Sequence, residues 1–90
     1  ELLGRTLNFE VFPNPTSGNA AIKFNLLETQ TVQLELTDVL GTKLCKKVEK
    51  FKAGTHKISL TDLKESLNSG MYFISCTVGN YKETIRVLVY

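Results

Sequence analysis

Apolar and polar side chains alternate in segment after segment of this chain. Val32, Leu34 and Leu36 are separated by Gln33, Glu35 and Thr37, and Ala20, Ile22, Phe24 and Leu26 by Ala21, Lys23 and Asn25. The same period runs through Tyr72, Ile74, Cys76 and Val78, through His56, Ile58 and Leu60, and through Ile85, Val87 and Val89. An extended strand turns successive side chains to opposite faces, so each segment has one apolar face and one wetter face. Sustained helical periodicity is absent, and what the chain can build is a set of half-buried strands.

Turn chemistry separates these segments. Pro13-Asn14-Pro15-Thr16-Ser17-Gly18 cannot continue a ladder, because proline has no backbone donor. Asp38 to Gly41, Ala53-Gly54 and Asn68-Ser69-Gly70 are further breaks, and Gly79-Asn80 is a two-residue hairpin turn. Seven strands are expected, at about 8–12, 20–26, 31–37, 43–51, 55–60, 71–78 and 82–89. Between 61 and 69 a turn or two of helix is expected, capped by Asp62, with Leu63 and Leu67 on one side. Two antiparallel sheets would bury the apolar faces against each other. The fold class is all-β, a seven-stranded antiparallel sandwich of immunoglobulin-like architecture, without the tryptophan of antibody domains.

The 90 residues suit a single domain. One this small buries roughly 60–65% of its unfolded surface and has a stability on the order of 5–10 kcal/mol. The formal charge of +2 does not by itself imply a nucleic-acid or membrane partner. No apolar run approaches the ~18 residues of a spanning helix. Residues 1–10 carry no signal-peptide pattern, and Glu1 in place of Met points to a fragment or processed product of a larger protein.

The inventory for catalysis is thin. His56 is the only histidine, and its place beside Ile58 and Leu60 reads as the rim of a core. Asp38 and Asp62 stand where turns and caps want them, and the seven glutamates form no acid/base couple. Metal and cofactor sites are not expected, since three widely spread Cys/His candidates fall short of a zinc site. Cys76 shares its parity with Tyr72 and Ile74 and should point inward. Cys45 is out of phase with Leu44 and Val48 and should point outward, so both are expected to be free thiols. Lys43, Lys46, Lys47, Lys50 and Lys52 form a basic stretch with Phe51 among them. It reads either as a solvated edge strand that discourages pairing with other sheets or as a contact for an anionic partner, with too few aromatics for a nucleic-acid stacking platform.

Five short motifs stand in a familiar order. Phe12-Pro13-Asn14-Pro15 with Gly18 resembles the opening of the type A C-terminal sorting domain of the type IX (Por) secretion system of Bacteroidetes. Asp38-Val39-Leu40-Gly41 resembles its central turn, and Ala53-Gly54-Thr55-His56 its A-G-x-H element. Leu67-Asn68-Ser69-Gly70-Met71-Tyr72-Phe73 is similar to its L-x-x-G-x-Y-F element, and Arg86-Val87-Leu88-Val89 to its terminal strand. The family commonly ends in Lys or Arg, where this chain ends in Tyr90.

The resemblance implies a non-enzymatic export signal. Residues 1–8 would be a linker to an upstream cargo, and residues 9–90 the sorting domain. Its partners would be the outer-membrane translocon and a sortase-like peptidase that removes the domain and releases the cargo or attaches it to an anionic lipopolysaccharide. The parent would cross the periplasm and finish at the outer-membrane surface or secreted. The motif residues serve either the fold or recognition. A terminal strand at 82–90 that pairs with a receptor is the expected docking mode, with an edge-strand homodimer as a further use of such an edge. The alternative reading is a carbohydrate-binding or adhesion module, for which Tyr81 and Phe51 are the loop-adjacent aromatics.

Overall fold

A computed structural model describes residues 8–90. The alternating segments become seven strands: β1 (Glu10–Phe12), β2 (Ala21–Leu26), β3 (Gln30–Asp38), β4 (Lys43–Phe51), β5 (Gly54–Ser59), β6 (Gly70–Val78) and β7 (Tyr81–Val89). They form two sheets, one of order β1-β2-β5 and one of order β4-β3-β6-β7, with every strand pair antiparallel. The expected linker falls almost entirely on residues 1–7, which lie outside the described residues.

The core lies between the sheets. Ile22 and Phe24 of β2 face Leu34 and Leu36 of β3, Ile74 of β6 and Val87 of β7, all without solvent exposure or nearly so. Burying each such side chain contributes about 1.5–3 kcal/mol. They form the centre of a larger buried cluster that also holds Val32, Leu60 and Cys76. The Gly79-Asn80 hairpin joins β6 to β7 as expected. Gly79, at φ 60°, occupies the first central position, where a turn matching strand twist needs a left-handed residue.

Two expectations are corrected. The helical element is a single 3₁₀ turn at Leu60–Asp62, and its cap is Ser59, whose hydroxyl accepts from the Thr61 N–H. Asp62 lies inside that turn. The second correction concerns Cys45. A bulge between Leu36 and Thr37 leaves Leu44 as the extra residue, and Cys45 pairs with the inward-facing Leu36. Cys45 therefore packs against the margin of the core, while Val48 faces outward and is 56% exposed. Leu44 and Val48 agree in sequence parity, but the bulge between them and β3 resets the alternation.

Candidate functional site

The ends of the sandwich are unequal. β1 and β3 stop at the end where β2, β4 and β6 begin, and β7 also terminates there: Phe12 pairs with Ala21, Asp38 with Tyr72, and Gly70 with Val89. Four of the five sequence motifs meet at this end. Gly54 and His56 lie at the other end, where Gly54 pairs with Leu26.

The Asp38 turn is built from its own side chain. Oδ1 of Asp38 accepts from the N–H groups of Leu40 and Thr42, each at 2.9 Å, and the Gly41 N–H donates to the Asp38 carbonyl at 3.0 Å. Gly41 sits at φ 91°, open to glycine and strained for other residues. The turn leaves Val39 and Leu40 exposed at its tip.

Tyr72 buries its ring in the core and donates its hydroxyl to the Asn68 carbonyl at 2.7 Å, closing the loop that Gly70 ends. Leu67 packs on the core from the same loop, whereas Phe73 lies half-buried on the outer face.

The Pro13-Asn14-Pro15 loop clasps the end of β7. The Asn14 amide donates to the Arg86 carbonyl at 2.7 Å, and its Oδ1 accepts from the Leu88 N–H at 3.1 Å. The Thr16 N–H donates to the Leu88 carbonyl at 2.9 Å, and the Tyr90 N–H to the Thr16 carbonyl at 3.0 Å. Thr16 is buried and forms a parallel bridge with Val89. In an edge strand, alternate residues turn their N–H and C=O away from the sheet. At Leu88 both of these groups are taken, as are the carbonyl of Arg86 and the N–H of Tyr90. The expected docking of residues 82–90 as an added strand is therefore corrected: the half from Arg86 onward already has its partner. Thr16 is absent from the motif residues picked out by sequence, where its only signal is a hydroxyl residue two positions before Gly18, whose N–H it caps at 3.0 Å.

Of the remaining motif residues, Pro13 and Pro15 flank Asn14 in the clasp and Gly18 ends the loop. Val87 and Val89 point into the core, while Arg86 and Leu88 point outward. The motif thus mixes residues that hold the sandwich with residues displayed on its surface.

His56 lies against Phe24 and Phe51, with ring centroids 5.6 and 4.8 Å away, and its Nε2 donates to the Lys52 carbonyl at 2.7 Å. A backbone carbonyl only accepts, so this fixes the proton on Nε2. Phe51 also meets Phe24 edge-on at 5.2 Å and is packed against the core. Tyr81 is likewise half-buried at the core margin. Both rings are thus partly covered by the core.

The two thiols are free. Cys45 and Cys76 lie on β4 and β6 with β3 between them, so about two strand spacings, roughly 10 Å, separate their backbones. That exceeds the reach of a disulfide. Burial, with the nearby Glu83 carboxylate, pushes the Cys76 thiol up to about 12. One thiol per folded chain, Cys45, is expected to react with an aromatic disulfide reagent at neutral pH, and Cys76 only after denaturation. The folded Cys76 keeps its proton where the unfolded thiol, near 9.0, loses it. Its contribution to stability is therefore complete below about pH 9 and declines as the pH rises toward 12. Denaturation midpoints between pH 7 and 11 check this.

A family model described as a secretion system C-terminal sorting domain matches residues 10–90. No curated protein matches the chain.

Proposed function

Since the chain belongs to the family of secretion system C-terminal sorting domains, the export signals of type IX secretion, we propose that its folded sandwich is read by the outer-membrane translocon at the end where the clasp lies. The convergence of four motifs on that end carries this reading. A signal that must be told apart from other folded domains needs a surface the fold itself specifies. Here the same residues that close the sandwich set the positions of the exposed Leu40, Arg86 and Leu88. The division into three and four strands supports the immunoglobulin-like reading of the architecture.

In this reading the domain is a substrate of a sortase-like peptidase and not a catalyst. Residues 1–8 are the linker through which the cargo is released or attached to the surface after crossing the periplasm. A fusion of residues 1–90 behind a fluorescent reporter with a periplasmic signal tests this. Translocon-dependent appearance of the reporter at the surface or in the medium is expected. Retention in the periplasm of both a competent and a translocon-deficient host would refute the sorting role.

A further inference from the structure

The charges of this chain are not spread evenly. Alternation turns Lys43, Lys46, Lys50, Lys82 and Arg86 to the outer face of the four-stranded sheet, and all five are exposed. Among the described residues the only carboxylate on that face is Glu35, which is mostly buried and bridged by Lys43 at 3.2 Å. The other described residues carry five lysines against seven carboxylates. A nearly neutral chain thus presents one strongly basic face.

The cations sit on the outer strands β4 and β7, three strand spacings or about 14 Å apart. At the clasp end of β7, beside Arg86, the surface is not purely polar. Met71 and Leu88 are cross-strand partners, and they floor a notch with Asn14 and Pro15 whose rim is Arg86. Leu88 is 44% exposed although it stands beside the clasp. A sulfated sugar or nucleic-acid polyanion carries no aliphatic side chain to fill such a notch. A protein segment with an apolar side chain between carboxylates uses both features, one entering the notch and the others meeting the cations.

We infer that the outer face of the β4-β3-β6-β7 sheet docks an acidic protein segment, with an apolar side chain of that segment seated in the notch between Pro15, Met71 and Leu88. This rests on the sorting reading and names the chemistry of the partner. The face spans about 14 by 24 Å, well below the ~800 Å² per partner of a stable interface. The contact is accordingly a transient one, suited to steering and handover.

Titrating the ¹⁵N-labelled 90-residue chain tests it, with a ten-residue glutamate-rich peptide containing two leucines as the probe. Amide shifts are expected at Met71, Phe73, Arg86 and Leu88, with binding about ten-fold weaker when salt rises from 0.05 to 0.3 M. An all-glutamate peptide of equal length should bind several-fold more weakly. The Lys82→Glu/Arg86→Glu variant should lose about ten-fold in affinity, and Lys52→Glu/Lys57→Glu, off this face, should bind like the unmodified chain. If the first variant does not fold, Lys46→Glu/Lys50→Glu makes the same test. Shifts elsewhere, no shifts, or equal or tighter binding of chondroitin sulfate would overturn the inference. In the reporter fusion, failure of the unmodified domain to direct export sinks the sorting reading. Normal export of the charge-reversed domain sinks only this one.

Discussion

Deleting residues 86–90 is expected to unfold the domain, not to leave an intact sandwich that has lost its address. Val87 and Val89 are core residues with essentially no exposure, and each stabilises by about 1.5–3 kcal/mol. The deletion also removes the ladder from Arg86 to Val89 against β6 and all four clasp bonds to Asn14 and Thr16. At about 1 kcal/mol for each bond, the total loss is comparable to the 5–10 kcal/mol that holds a domain of this size together. The truncated chain should give collapsed amide dispersion and no cooperative melt, and a fused reporter should show proteolysis. A cooperative melt within a few degrees of the full domain would contradict the burial of β7. A truncation therefore cannot separate folding from recognition. Substitution of the outward-facing Arg86 or Leu88 can, because neither contributes to the core.

How much of this was legible in the sequence depends on how local each signal is. Period-two alternation marks five of the seven strands, because a sandwich buries one face of each, and with the turn signals all seven expected spans fall within two residues of the observed ones. The turns at Asp38, Gly54 and Gly79 announce themselves by residue type. What stays hidden is what depends on a partner strand. The bulge opposite Leu36 turns Cys45 inward and Val48 outward, and nothing in the residues 43–48 reveals it. The bonds from Asn14 to Arg86 and Leu88 cross more than 70 positions and join a loop to a strand end. From sequence alone, Asn14 reads as a turn residue between two prolines. The basic face was visible only as a run of lysines. Register alone splits that run, sending Lys47 to pair with Glu49 on the inner side at 3.3 Å and Lys43, Lys46 and Lys50 outward to join Lys82 and Arg86. The motif positions were readable as a set, yet their division into core and surface required the two sheets.

Asn14→Ala is expected to destabilise the domain by about 2 kcal/mol and to open the end of β7. One side chain meets two strand groups, and the pairing is fully determined: its amide faces a carbonyl and its oxygen faces an N–H. A flipped amide would set acceptor against acceptor and donor against donor. Alanine leaves the Arg86 carbonyl and the Leu88 N–H to water, at roughly 1 kcal/mol each. Hydrogen exchange reads the effect locally: the Leu88 amide should exchange at least ten-fold faster, while core amides of β3 and β6 change only with the global stability. Asn14→Asp is the informative partner. Its carboxylate still accepts from the Leu88 N–H but cannot donate to the Arg86 carbonyl, so Leu88 should stay protected while stability falls by an intermediate amount. The opened edge of Asn14→Ala also presents unpaired N–H and C=O groups next to Leu88, so concentration-dependent association should appear in that variant and not in the parent. Unchanged Leu88 exchange with a stability loss under about 0.5 kcal/mol would show that Thr16 holds the strand alone. The Pro-Asn-Pro motif would then have to be explained by what it displays to a partner.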